Sequence, residues 1–241
     1  MNFQEIIDAE SQMMAEAKNK YGEFFENSFD FILLLQDFIS DVKMDGWLFV
    51  IMFSHIKRHT VMAFFSVIRR HNVQGFMDLR QVLEGLSIAC YALGHTNLED
   101  LAKIDENQII QEIINNKHYT WLEKNYQEAS KVIKTTKNQI NATCSHANLT
   151  YAFQDFKLSE KTFEFSFFDK DDLDLIKSNL WFVGYVCMHV MDIIFGVDKD
   201  SKLLNFSSNY PKKLKELEDK LNELKIEMLK KEKFNRYLST L

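Results

Sequence analysis

The sequence predicts a mainly α-helical fold: a single-domain bundle with a small β-hairpin insert and a coiled-coil-like C-terminal helix. Only one proline, Pro211, and seven glycines occur in 241 residues, so little in the chain interrupts a helix. Apolar residues recur at helical spacing over most of the length. Hydrophobic residues make up 46% of the chain, which is enough to bury a substantial core.

Helical periodicity covers the first part of the chain. Residues 2–42 are predicted to form one long helix, or two helices joined near Gly22. A turn at Asp45 and Gly46 precedes a second helix over residues 47–71. A third helix is expected from Val73 to Gly94, because glycine commonly ends a helix. Residues 95–107 are polar and predict a loop with a short helix.

The second half of the chain predicts one long helix, a hairpin and a further helix. The long helix covers residues 108–148. Alternation of polar and apolar residues from Thr162 to Phe167 indicates a strand, and the hairpin it forms is expected at about 151–168. Asp169 is the predicted N-cap of a helix that runs to Phe195. The inward stripe of the long helix comprises Leu122, Tyr126, Ala129, Ile133, Thr136, Ile140 and Cys144.

The last helix is expected to begin at Pro211, a residue favoured at the first helical position. Its leucines follow a 3-4-3-4 spacing, which is the pattern of a two-heptad coiled-coil seam. Two arrangements are open: the seam docks on its own domain, or it pairs with another chain. The predicted division is a bundle over residues 1–208 and a C-terminal helix over 209–241. The seam comprises Leu214, Leu217, Leu221, Leu224 and Met228.

Charge and cysteine content narrow the functional class. A protein that binds nucleic acid or anionic membranes through its overall charge is usually basic, but the net charge of this chain is −6. Any contact with RNA must therefore use a local basic patch. The three cysteines form no CxxC pair and predict reduced, buried thiols. A cytoplasmic protein without a signal peptide is expected. Two apolar segments, over residues 47–68 and 180–197, contain charged or histidine residues and are predicted to be core helices rather than membrane spans.

Arg80 and Glu84 are the first candidate site residues. They lie four residues apart on a helix that is apolar nearly all round after Val82, so both are expected near the core. A buried charge is costly unless it is paired. The pair therefore predicts either an internal ion pair that fixes helix packing or part of an anion-binding or catalytic cleft.

A second group, Arg69, Arg70 and Asn72, lies at the end of the second predicted helix. Cations are favoured at a helix C-terminus by the helix dipole, which gives these residues a capping role. The functional alternative is a patch that contacts the phosphate groups of RNA.

A third group gathers polar residues near the end of the predicted long helix. Lys137, Asn141, Ser145 and Asn148 share one face, and His146 lies one step round from it. Such residues partly serve as helix caps. As a functional cluster they would bind a substrate, with His146 as the general acid–base because its ordinary pKa is near neutrality.

Metal ligands receive less support from the sequence. His55 and His59 lie four apart on one helix, a spacing that can chelate a metal, and His189 and Asp192 lie three apart on another. The Glu-x-x-His repeats of four-helix carboxylate sites do not occur in the sequence. We therefore expect no metal and no cofactor.

The segments that contain Arg80-x-x-x-Glu84, residues 117–122 and Ser145–Asn148 resemble uncharacterised bacterial helical proteins of the HEPN-like kind. That resemblance implies RNA binding or RNA processing in a defence or toxin system, and a homodimer or homo-oligomer. The family's nuclease motif is Arg, four to six residues, then His. Asn141 stands where Arg is expected, so only His146 matches, and Arg80 would have to supply the missing cation.

Two alternative functions stay open. The first is a non-catalytic, oligomeric scaffold protein assembled through the C-terminal seam. The second is a metal-binding helical bundle. Both follow from features described above, and neither requires the HEPN-like resemblance.

Overall fold

The structure is a computed structural model that describes residues 2–106, 110–144, 156–158 and 163–231. It confirms the mainly α-helical fold. Six short strands form three two-stranded antiparallel sheets in the described part of the chain. The helices are α1 (Phe3–Tyr21), α2 (Glu23–Asp37), α3 (Trp47–Ile68), α4 (Asn72–Gly94), α5 (Lys117–Asn125), α6 (Gln127–Cys144), α7 (Leu173–Ser201) and α8 (Tyr210–Leu229). The strands are β1 (Ile39–Val42), β2 (Ala102–Ile104), β3 (Ile110–Glu112), β4 (Phe156–Leu158), β5 (Phe163–Phe165) and β6 (Leu204–Phe206).

The predicted hairpin is present as β4 and β5, with Phe156 opposite Phe165 and Leu158 opposite Phe163. Both strands lie within the range of about 151–168 that was predicted for the hairpin. The other two sheets were not predicted. Strands β1 and β6 occupy segments predicted as a helix end and a loop, and β2 and β3 are three residues each. Strands this short give no clear two-residue period.

Each of two predicted helical regions is divided in the structure: residues 2–42, predicted as one helix or two, and residues 108–148, predicted as one helix. Gly22 separates α1 from α2 with a φ of 55°, a backbone conformation that glycine adopts without a steric penalty. The helix predicted over residues 108–148 is wrong as one unit, because α5 ends at Asn125 and α6 begins at Gln127, with Tyr126 between them. Its inward stripe is confirmed at Leu122, Ile133, Thr136 and Ile140, which are buried, whereas the Cys144 side chain lies outside the described part of the chain.

The start of α7 also differs from the prediction. Its N-cap is Asp172, whose carboxylate accepts hydrogen bonds from the backbone N–H groups of Asp174 and Leu175 at 3.1 Å. Asp169 instead accepts a hydrogen bond from the backbone N–H of Asn72 at 2.6 Å. The carboxylate predicted to cap a helix therefore joins the segment before α7 to the start of α4.

The core lies where α4 and α7 pack against α2 and α3. Gly85 of α4 sits so close to α3 that an added Cβ would lie 3.3 Å from the Ile56 side chain, in line with the close helix contact expected there. Cys90 and Cys187 are fully buried free thiols. Burial raises the pKa of both, so these two cysteines are inert packing residues.

The C-terminal helix α8 docks on its own domain. Leu221, Leu224 and Met228 of the predicted seam are buried, and α8 packs against α2 and α7. The indole N–H of Trp181 on α7 donates to the backbone carbonyl of Leu221 at 2.9 Å. The side-chain amide of Asn27 on α2 donates to the Leu217 carbonyl at 3.2 Å. The helix therefore does not project, and its apolar stripe is used within the chain.

Two helical segments of the described chain, Met44–Ile68 and α7, are long and apolar enough to cross a membrane by length and composition. In the most apolar stretch of α7, 61% of the residues are buried inside the fold, against 39% in the other segment. Core helices of globular proteins satisfy the same test, so this finding is weak evidence for a span.

Candidate functional site

The structure brings four of the sequence-predicted site residues into one hydrogen-bonded cluster between α4 and α6. Arg80 Nε donates to Glu84 Oε1 at 3.1 Å, and Arg80 Nη1 donates to Asn141 Oδ1 at 2.8 Å. Lys137 Nζ lies 3.1 Å from the same Glu84 oxygen. One carboxylate thus holds two cations from different helices.

Helical spacing explains why these side chains meet. Arg80 and Glu84 are four residues apart on α4, and Lys137 and Asn141 are four apart on α6, so each pair shares one face. Ile133 and Ile140 of α6 are buried and fix how that helix packs against α4. Lys137 and Asn141 follow those anchors by four and one positions, and they face the α4 pair.

The cluster keeps its charges although it is partly removed from water. The side chains of Arg80 and Glu84 are each 31% exposed, and that of Lys137 is 17% exposed. Burial alone would raise the pKa of Glu84, but hydrogen bonds and charge attraction from Lys137 and Arg80 outweigh burial and lower it. Glu84 is therefore ionised at neutral pH and orients both cations.

A pocket of about 380 Å³ opens beside this cluster, between α4, α5 and α6. Buried Leu122 and Ile133 form its apolar wall, and its other described lining residues are polar or charged. Three cations and one carboxylate are among its described lining residues, and Glu84 beside them adds a second carboxylate. The local charge is therefore still positive, although the chain is acidic overall. The lining comprises Arg80, Tyr119, Leu122, Glu123, Ser130, Ile133, Lys134, Lys137, Asn138 and Asn141.

Helix α5 contributes two aromatic residues to this region. Lys137 Nζ donates to the Tyr119 hydroxyl at 2.6 Å and also lies 4.6 Å from the centre of its ring. His118 is 5% exposed, and its Nδ1 has no hydrogen-bond partner among the described residues. Burial, with a smaller effect from the Lys137 charge, lowers the pKa of His118 to about 4. His118 is therefore neutral at physiological pH.

The sequence prediction missed several lining residues. Ser130 and Lys134 lie seven and three positions before Lys137, so the face of α6 that identified Asn141 also contained the signal for them. Tyr119 and Glu123 come from α5, which was predicted to be continuous with α6. Because no break was expected at Tyr126, the sequence pattern did not predict that α5 packs beside this pocket.

The predicted RNA-contacting residues Arg69, Arg70 and Asn72 lie at the turn between α3 and α4. Asn72 is eight residues before Arg80 on α4, a separation of about 12 Å along a helix. Arg69 Nη1 contacts Glu10 of α1 at 3.4 Å, and Arg70 Nη1 contacts Asp171 at 3.7 Å. These cations pair with carboxylates of other segments, so they form a group separate from the pocket.

Arg70 and Asn72 also have structural roles at this turn. Arg70 adopts a φ of 61° and forms the left-handed residue of a helix-ending motif, in which the His71 N–H donates to the Ser66 carbonyl at 2.8 Å. The side-chain oxygen of Asn72 accepts from the Asn179 amide at 2.7 Å. Both residues thereby fix the connection between α3 and α4.

Three predicted site residues, Ser145, His146 and Asn148, lie outside the described residues. Their grouping with Lys137 and Asn141 stays a prediction from the sequence. The last described residue of α6 is Cys144, so His146 follows the described part of the helix by two positions in sequence.

The histidines and carboxylates that the sequence suggested as metal ligands fall into two places. The rings of His55 and His59 on α3 lie 4.2 Å apart between their centres. His189 and Asp192 line a different groove, of about 470 Å³, between α6 and α7. Burial lowers the pKa of His189, and burial together with the Glu218 charge raises that of Asp192 to about 6. In the described segments, no group of three or more His, Cys, Asp or Glu side chains is arranged to hold a metal ion.

The pocket between α4, α5 and α6 is thus the place where predicted site residues from distant parts of the sequence meet. The pocket is suited to bind an anionic group, since oriented cations and side-chain amides lie next to its apolar wall. Comparisons of the chain with protein-family models, with curated proteins and with solved structures gave no significant match.

Proposed function

We propose that the pocket between α4, α5 and α6 binds the sugar-phosphate backbone of RNA, and that the chain is a cytoplasmic, HEPN-like RNA-binding or RNA-processing protein of a bacterial defence or toxin system. The observation that carries the proposal is the Glu84 carboxylate holding Arg80 and Lys137 at the edge of a positively charged pocket. Cations oriented before binding lose less entropy when a phosphate group arrives.

The pocket offers contacts for more than one part of a nucleotide. Lys134 is exposed and lines the pocket, so its ammonium group can reach a phosphate group bound there. Tyr119 presents an aromatic ring, and aromatic rings stack on bases with little sequence preference. Asn138, exposed one position after Lys137, supplies an amide for hydrogen bonding. These contacts support RNA binding with modest sequence selectivity.

RNA cleavage places a further demand on the site, because a group must transfer protons near neutral pH. His118 is unsuited to this role, since burial holds its pKa at about 4. Cleavage in this proposal therefore depends on His146 as the general acid–base, with Arg80 stabilising the charge that develops on the phosphate. Binding rests on described residues, whereas cleavage rests on a sequence prediction.

The binding test uses fluorescence anisotropy with a labelled single-stranded RNA of mixed sequence, measured over a series of salt concentrations. Lys134→Gln removes one phosphate contact and is expected to weaken binding about fivefold, or roughly 1 kcal/mol, and to reduce the salt slope by about one. Lys131→Gln is the matched control, because Lys131 is exposed on the same helix but does not line the pocket. Equal weakening by both substitutions, or no binding by the natural protein, contradicts the proposal.

The cleavage test uses the same RNA and a gel assay of its length. His146→Ala is expected to abolish cleavage while the circular dichroism spectrum and RNA affinity stay unchanged. Cleavage that persists in this variant rejects the role of His146 and leaves RNA binding as the function.

A further inference from the structure

Helix α3 has two histidines, His55 and His59, that the pocket does not use. Their rings lie side by side, with 4.2 Å between the ring centres and an angle of 54° between the ring planes. Nδ1 of His59 lies 2.8 Å from Oδ1 of Asp78 on α4. The Asp78 side chain is only 3% exposed, and its other oxygen accepts a hydrogen bond from Gln74 at 3.1 Å. The buried Asp78 carboxylate thus fixes the orientation of the His59 ring through its Nδ1.

The Asp78 contact determines which nitrogen of His59 is available. A carboxylate beside Nδ1 holds the proton there and leaves the lone pair on Nε2. Metal-binding histidines in proteins commonly have such a carboxylate or carbonyl partner on the second nitrogen. Lys57, which lies between the two histidines in sequence, turns away, because its Nζ donates to the Gln36 carbonyl at 2.8 Å. The pair therefore has the spacing and the support of a chelating site.

We propose that His55 and His59 form one half of a zinc-type divalent metal site, and that a second copy of this chain supplies the other half across α3. Imidazole nitrogens are ligands that Zn²⁺ accepts readily, and structural zinc sites have four ligands in a tetrahedron. Within the described part of the chain, no third side chain joins these two histidines in such a set. A two-fold symmetric pairing brings the same two histidines of the other copy opposite them.

The surface around the histidines suits contact with an identical surface. Trp47 and Ile51 precede His55 by eight and four positions and share its stripe, and Ile51 is 55% exposed. Met62 follows His55 by seven positions and is also exposed. Apolar side chains on both sides of the metal ligands would be buried together when two copies meet, which adds hydrophobic stabilisation to the metal bonds.

The test titrates the full chain with zinc and measures mass by native mass spectrometry and by light scattering after size exclusion. The expected result is a mass that doubles with one zinc ion per two chains. His55→Ala and His59→Ala are each expected to abolish both the zinc uptake and the doubling. His95→Ala is the control, because His95 lies beyond α4, where its ring stacks on Tyr91.

Asp78→Asn adds a measurement specific to the supporting carboxylate. It is expected to weaken zinc affinity about 10- to 100-fold in a chain that still folds. Zinc bound by monomers, zinc uptake that survives in the His55→Ala/His59→Ala double variant, or a dimer that needs neither zinc nor these histidines would overturn the proposal. None of these outcomes bears on RNA binding at the other site.

Discussion

Acidification provides a direct test of the environment of His118. The ring is buried beside Lys137, and its pKa falls from an ordinary 6.5 to about 4. Because the folded state resists protonation, the unfolded state binds more protons between these two values. The stability that neutral His118 contributes is therefore fully present above about pH 6.5 and is lost as the pH falls towards 4.

The size of the effect follows from the two pKa values. The interval between the ordinary pKa of 6.5 and a pH of about 5 is roughly 1.5 pH units, and each unit corresponds to about 1.36 kcal/mol. Acidification to about pH 5 therefore lowers the free energy of unfolding by about 2 kcal/mol. Glu84 adds little in this range, because its lowered pKa places its titration below its usual 4.5. The chain contains seven histidines, so a matched variant is needed to isolate the effect of His118.

His118→Phe keeps a ring of similar shape and removes the titrating group. Urea unfolding followed by circular dichroism, at about pH 7 and about pH 5, gives the free energy of unfolding of both proteins. The natural protein is expected to lose about 2 kcal/mol more than the variant on acidification. Parallel losses in the two proteins would refute the assignment of a buried, neutral His118.

Three further substitutions test the packing and charge of the fold by urea unfolding. Leu221→Ala is expected to cost about 2–5 kcal/mol, because this α8 side chain is buried against α2 and α7. Ile226→Ala on the exposed face of the same helix should change stability by less than about 0.5 kcal/mol. Equal costs would contradict the docking of α8. Asp198→Ala is expected to cost about 1–3 kcal/mol, since the buried Oδ1 of Asp198 accepts the backbone N–H groups of Leu203 and Leu204 at 2.8 and 3.1 Å. A neutral result would mean that these amides find other acceptors. Glu84→Gln should cost about 1 kcal/mol of stability at neutral pH and progressively less as the pH falls below 4.5. The lowered pKa of Glu84 means that its ionised form stabilises the fold, and protonation removes this stabilisation. A cost that persists in acid would contradict the ion-pair explanation.

The helices and the centre of the site could be predicted because both depend on local spacing. A period near 3.6 residues identified α3 and α4 within three residues of their observed ends. The same spacing placed Arg80 beside Glu84 on one face, and Lys137 beside Asn141 on another. These relations are fixed by helix geometry as soon as a segment is known to be helical.

The remaining features depend on contacts between distant segments. The break at Tyr126 has no proline or glycine to mark it, and the Tyr126 hydroxyl bonds Asp200, 74 positions away in sequence, at 2.6 Å. Strand β1 pairs with β6 across more than 160 residues, so neither strand has a local signal. The same holds for Asp78 and His59, whose contact across two helices gives the histidine pair a supporting carboxylate that spacing alone did not reveal.

The docking of α8 has a consequence for how the chain reaches its folded state. The Asn27 contact to α8 spans 190 positions in sequence, so the groove between α2 and α7 stays open until α8 has left the ribosome. Contacts of such long sequence separation slow folding. During synthesis, Trp181 and the groove between α2 and α7 are exposed to solvent, and this interval is when the nascent chain is most prone to aggregation.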